Sequence, residues 1–440
     1  MKKYNLLLIA MGWALASCEA YLDVKPSKAI DTPDSIEAVE ALLDNAETMN
    51  YFPTQSVVMG DEFVADDQAI TSMDLLEQNF YLWMPRPFEL TDQVFDWRDL
   101  YNQIQIANVA LESLEKLDQA NSKVIELRGT ALFYRAFAYY NLSTLFLEGA
   151  NLQRAGITQK IPIRRGTSIV LKPELADRQT IRDLIKSDLE EAVTSLPGQT
   201  PYLSRPSRQA GFALLARVCL DWGDFERAKE AAERAIALGG RLLDFKSLNR
   251  NATYPIPRFS SEVIWLARVG GTSYFNSQSG FQISPDLLGL YKSNDLRRDL
   301  FFITRSNGFV NYRGSYLSGR PLFGGLSLNE TYLIYAESLV RTGALEQGAG
   351  VLNFLLQHRM RDGWTRMDFT DESQALGILI EERRKELPFR GLRWADLRRF
   401  NGDERYQQTL SRTFEGITYE LGPNSEKYIL PIPARELQFY

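Results

Sequence analysis

The sequence predicts a mainly α-helical protein, made of antiparallel helix pairs with an irregular, partly β insert, and three observations carry that prediction. Stretches between Val94 and Leu196 place apolar residues at i, i+3 and i+4, the period of one helical face. Arg208 to Leu238 sets small residues and a glycine at the spacing that two closely packed helices require. Leu242 to Leu326 has neither property: it is rich in glycine and aromatic residues, and few long helices fit it.

Along the chain, residues 1–17 read as an export signal, with Lys2 and Lys3 before an apolar run from Leu6 to Ala16 and small residues at its end. That run is shorter than the ~20 residues a bilayer span needs. Leu15-Ala16-Ser17-Cys18 resembles a bacterial lipobox, in which the cysteine is lipidated and becomes the first mature residue. Residues 18–26 are then a lipidated stem ending at Pro26, and two or more acyl chains make a stable anchor.

Residues 27–93 carry one expected helix, Ser35 to Asn45, followed by a segment from Gly60 to Pro87 with no sustained helical period and many acids and aromatics. Residues 94–241 form the helical scaffold. Trp97, Tyr101, Ile104 and Leu111 mark one helix from Val94 to Leu117, and a second runs from Ser122 to Phe146. Ile161-Pro162-Ile163 suggests a strand edge, and Asp177 to Leu196 a helix stopped by Pro197-Gly198.

Within Arg208–Leu238, Ala216, Gly223, Phe225, Ala228 and Ala235 stand at offsets 0, 7, 9, 12 and 19, those of a tetratricopeptide-like helix pair. Ala216 allows close helix approach and Gly223 supplies the turn. Ala336 and Gly343 repeat the 7-residue step more weakly. Residues 242–326 are the variable insert, with Glu262 to Ala267 its clearest strand, and residues 327–440 complete the helices.

A net charge of −6 without a basic stripe argues against nucleic acid, which is bound by neutralising phosphates. Cys18 and Cys219 are the only cysteines, so lipidation of the first leaves no disulfide, and Cys219 sits in an apolar run as a core residue. His358 is the single histidine and has no acidic or cysteine cluster beside it. No metal site, phosphate loop or nucleophile elbow is visible, so no cofactor is expected. Trp97, Trp222, Trp265 and Trp394 are expected in the core.

These pieces, in this order, resemble the SusD/RagB family. Cys18-Glu19-Ala20-Tyr21-Leu22-Asp23 looks like its mature N-terminus, and Trp97-Arg98-Asp99-Leu100-Tyr101-Asn102 with Ala107-Asn108 like its first long-helix motif. Arg128 to Tyr140 and Ser187 to Pro197 match later helices. The run Ile380-Glu381-Glu382-Arg383-Arg384-Lys385-Glu386-Leu387-Pro388-Phe389-Arg390-Gly391-Leu392-Arg393-Trp394-Ala395-Asp396-Leu397-Arg398-Arg399 is similar to the family's C-terminal signature, and Leu430-Pro431-Ile432-Pro433 completes the set. Arg390 and Leu392 depart from its usual residues, and no asparagine follows Glu436-Leu437.

The resemblance implies a surface-exposed outer-membrane lipoprotein that binds a nutrient, a glycan first of all, and delivers it to a SusC-like TonB-dependent transporter without catalysis. A peptide ligand, or a protein-interaction module with no small ligand, are the alternatives. The resemblance places ligand contacts before the first long helix and in the insert. Aromatic rings that could stack on a sugar there are Tyr81 and Trp83 in one loop, and Tyr274 and Phe275 with Asn276 and Phe281 in another. Asp61, Glu62, Asp66 and Asp67 would serve glycoside hydrolysis only if two of them converged across a cleft. The alternating charges from Glu381 to Arg399 read as a solvent-facing or interhelical salt-bridge lattice.

Overall fold

A computed structural model describes residues 33–168, 172–271 and 281–439, so Cys18, the stem, Tyr274, Phe275 and Asn276 lie outside the described residues. Ten helices of eight residues or more are present among the described residues. They are α1 (Ile36–Leu43), α2 (Phe95–Leu114), α3 (Ser122–Phe146), α4 (Arg178–Ser195) and α5 (Arg208–Trp222). After these come α6 (Phe225–Ala237), α7 (Leu328–Arg341), α8 (Leu345–Leu356), α9 (Glu372–Glu386) and α10 (Arg393–Phe400).

Local chemistry sets the helix starts. Asn121, Asp177, Ser207, Asp224 and Asp371 each accept a backbone N–H of the first turn, satisfying donors that have no partner within the helix. Gly223 ends α5 at φ +78°, a left-handed turn that lets α6 fold back. Ala216, Ala228 and Ala235 are fully buried between the two helices. Consecutive helices from α2 to α8 pack in series, except that α6 meets α7 across the insert, and α9 closes on α7. Among the described residues no helix is long and apolar enough to cross a membrane.

The segment from Gly60 to Pro87, expected to lack helix, contains Asp67–Ser72 and Leu75–Tyr81. Each is shorter than the window in which a helical period can be read, and each begins on an aspartate cap, Asp66 or Asp74. The insert is stitched to the rest by two-stranded pairs. Phe63–Ala65 pairs antiparallel with Phe281–Ile283, Tyr51–Phe52 parallel with Arg268–Val269, and Val263–Trp265 antiparallel with Leu326–Ser327. The N-terminal segment and the insert therefore form one surface beside α2.

The charged run from Glu381 to Arg399 is not solvent-facing. Glu382, Arg383, Lys385, Glu386, Arg393, Asp396 and Arg398 are all buried. At the centre, Arg297 donates to Asp295 and Glu382 at 2.7 Å and to Glu386 at 3.1 Å. Arg359 donates to Glu386 at 2.8 Å and to Glu262 at 2.5 Å, and Asn329 donates to Glu386 at 2.7 Å. A second cluster joins α7 to α10, with Arg399 on Glu337 and Asp396, and Arg383 on Asp396 at 2.8 Å. Buried charges persist only when paired and hydrogen-bonded, and nearly every one here is.

Candidate functional site

The expected stacking rings at 81 and 83 are inside the protein. Tyr81 is 1% exposed and Trp83 3%. Trp83 donates its indole N–H to the Met59 carbonyl at 2.9 Å, and the Tyr81 hydroxyl accepts the Ala65 N–H at 2.9 Å. The Arg412 guanidinium lies 3.8 Å from the Tyr81 ring centre and 4.1 Å from that of Trp83, so both rings hold a buried cation. Phe281 is buried as well, in the strand that pairs with Phe63–Ala65. Neither ring of the 81–83 loop, nor Phe281, is offered to a ligand.

Of the carboxylates named for hydrolysis, Glu62 is buried, 2% exposed, and Asp61, Asp66 and Asp67 are engaged by other groups. Asp61 accepts from Arg393 at 2.7 Å and from Arg384 at 2.9 Å. Against the cost of burial, these guanidiniums hold it well below the usual carboxylate range. Asp66 caps its helix, and Asp67 accepts the Glu415 N–H at 3.2 Å. Cys219 is buried, which pushes its thiol up to about 12 and leaves it inert.

A cleft of about 660 Å³ opens where residues 47–55, the helix Leu75–Tyr81, the start of α2 and the end of the Arg268–Val269 strand meet. Two rings line it: Tyr51, partly buried at its floor, and Phe95, 52% exposed, with the Arg98 guanidinium 4.8 Å from its centre. Phe95 precedes Trp97 by two positions, so the ~100° step per residue that buries Trp97 turns Phe95 to the opposite side of α2. That phase is the one signal in the sequence that sets Phe95 apart from the scaffold positions of α2.

Polar groups surround the ring. Arg98 pairs with Asp99 at 2.6 Å, and that hydrogen bond holds the guanidinium pKa above its ordinary value. Asn102, Thr48, Glu77 and the exposed Arg268 complete the walls. Below them Asp96 is 1% exposed and locks the floor. One of its oxygens accepts the Tyr51 hydroxyl and the Thr54 N–H at 3.0 Å; the other accepts the Gln55 N–H at 2.9 Å. Burial pushes this carboxyl up to about 6 in spite of those donors. Gly270 allows the strand to lie against this floor, because a Cβ there would meet Thr54 Oγ1 at 2.3 Å and the Tyr51 ring at 2.7 Å.

The cleft thus combines an exposed ring with donors and acceptors of both kinds, an arrangement suited to a hydroxyl-rich ligand with apolar C–H faces. Residues 20–220 match a family model described as SusD-like, starch-binding and associating with the outer membrane, and residues 328–439 match that of the SusD family. The chain is 25% identical over 407 residues to SusD-like protein P2 of Formosa agariphila, covering 78% of this chain and 77% of that protein. It superposes on a SusD superfamily protein of Bacteroides thetaiotaomicron with TM-score 0.74 and 19% identity, covering 92% and 98% of the two chains. A laminarin-binding SusD-like protein superposes with TM-score 0.64 and 19% identity over 92% of this chain and 97% of that one.

Proposed function

The chain belongs to the SusD/RagB family, and from that premise we propose that it captures a glycan in the Phe95 cleft as an outer-membrane lipoprotein and passes it to a SusC-like TonB-dependent transporter. The observation that carries the reading is Phe95. This phenylalanine stands half exposed at the mouth of a polar cleft, and a sugar ring presents an apolar face of matching size. The starch-binding description of the matched family model and the laminarin-binding neighbour support a glucan ligand. Lipid attachment at Cys18 and a surface location rest on the lipobox-like start and on the family. Tyr274, Phe275 and Asn276 follow Gly271 at the cleft edge in sequence and are proposed as further contacts.

No turnover belongs to this reading. The cleft's buried acid, Asp96, has both oxygens engaged by Tyr51, Thr54 and Gln55, so it holds the floor and is not placed to transfer a proton to a ligand.

Calorimetric titration of residues 19–440 with laminari- and malto-oligosaccharides tests the reading, with an acidic and a basic peptide as controls. Saturable binding to one oligosaccharide class is expected. Phe95→Ala should weaken it about tenfold, the loss of roughly half a phenylalanine's burial, with unchanged thermal unfolding. Binding of peptide alone, or equal affinity in the variant, contradicts the reading.

A further inference from the structure

A second cavity, about 680 Å³, lies away from Phe95, between the helix Ala150–Arg154, the start of α4, the α5–α6 turn and the residues after α10. Its lining holds seven arginines and no lysine, against four acids, in a chain whose net charge is −6. Some of that charge is spent internally. Arg341 and Arg399 pair with Glu337, and Arg405 pairs with Asp403 at 2.7 Å. Arg398, 8% exposed, donates to the carbonyls of Ser143, Thr144 and Leu147 at the end of α3, while its Nε has no partner.

Three others are different. Among the described residues, Arg154, Arg178 and Arg182 have no carboxylate within salt-bridge reach. Arg178 donates only to the Gln153 side chain, at 3.0 Å. Arg182 lies 4.6 Å above the Trp222 ring. Burial and the neighbouring Arg178 charge lower the Arg182 pKa, and burial lowers that of Arg398 to about 10. Asp221, also in the lining, forms no salt bridge with these groups; its charge acts on Arg182 and Arg398 only through space, as do those of Asp183 and Asp224 on Arg182. Converging guanidiniums that repel one another are stabilised by an anion, and their forked N–H donors match carboxylate and sulfate oxygens.

We propose that this arginine-lined groove is a second binding site, which takes the carboxylate or sulfate of an acidic saccharide. The saccharide part rests on the glycan-capture reading above; the anion part does not. Glucuronate, glucose 6-sulfate, glucose and sodium sulfate are titrated against residues 19–440 and against the Arg178→Gln/Arg182→Gln and Phe95→Ala variants. The acidic sugars should bind, glucose should not bind at this site, and added salt should weaken the binding. The double arginine variant should lose affinity about tenfold or more, as expected for charge-assisted hydrogen bonds, while Phe95→Ala leaves it unchanged. Unfolding curves of the double variant should match the parent, since both side chains are partly exposed. Binding of sodium sulfate that neither acidic sugar displaces overturns the saccharide assignment. Absence of anion binding, or equal affinity in the double arginine variant, overturns the site. Loss of acidic-sugar binding in Phe95→Ala instead would place it in the first cleft and overturn the proposal.

Discussion

Replacing Glu386 with alanine should destabilise the protein by about 3–5 kcal/mol, as expected when one member of a buried ion-pair network is removed. Glu386 is fully buried and accepts from Arg297, Arg359 and Asn329 at once. Without it, two guanidiniums remain in the interior. Arg359 keeps Glu262, and Arg297 keeps Asp295 and Glu382, but each loses a charged acceptor in the interior. Glu386→Gln should fall between the two, since the amide keeps an acceptor and the shape but loses the charge. Chemical denaturation of the three proteins orders them; a Glu386→Ala loss below 1 kcal/mol would mean that this network does not hold α9 to the insert.

The second large effect is a pH dependence at Glu62. Its carboxyl is 2% exposed, one oxygen accepts the Phe389 N–H at 2.7 Å, and the other has no partner. Burial pushes it up to about 8, with the Asp61 charge adding to the rise. A carboxyl raised in the folded state favours folding while it stays protonated. Its contribution is complete below the ordinary glutamate value near 4.5 and is lost as the pH rises through about 8. At about 1.4 kcal/mol per pH unit between the two values, that window spans on the order of 3–5 kcal/mol. Glu62→Gln removes the titration, so it should match the parent near pH 5 and exceed its stability at pH 9. Parallel unfolding curves at both pH values check this; equal differences at the two would show that Glu62 ionises normally.

Much of the scaffold was legible because its signals are local. The helix from Ser122 to Phe146 showed in its run of small residues, Ala131, Ala136 and Ala138, beside Phe133, Phe137 and Tyr140, and Gly223 announced its turn by spacing alone. The charged signature was less so. Alternating charges look the same on a wet helix as in a core, and what buries them comes from afar: Asp61 reaches Arg393 across 332 positions, and Glu262 reaches Arg359 across 97.

The candidate site shows the same limit in sharper form. Tyr81 and Trp83 have the composition of a stacking loop, but Arg412, 331 positions from Tyr81, lies against both rings and makes them core. No local pattern encodes that partner. Phe95 was hidden for the opposite reason: it sits in a helix whose other aromatics face inward, and only its phase against Trp97 sets it apart. The arginines of the second groove are scattered from Arg154 to Arg405 and become a cluster only when α4, α5 and α10 meet.

The central claim is that a glycan docks where the N-terminal segment, the start of α2 and the insert strand converge. Hydrogen exchange of residues 19–440, with and without saturating laminari-oligosaccharide, tests it most directly. The account predicts slowed exchange at backbone amides within residues 51–55, 95–102 and 268–271, with the α5–α6 turn unchanged. Slowing confined to other segments, or none at saturation, would contradict it.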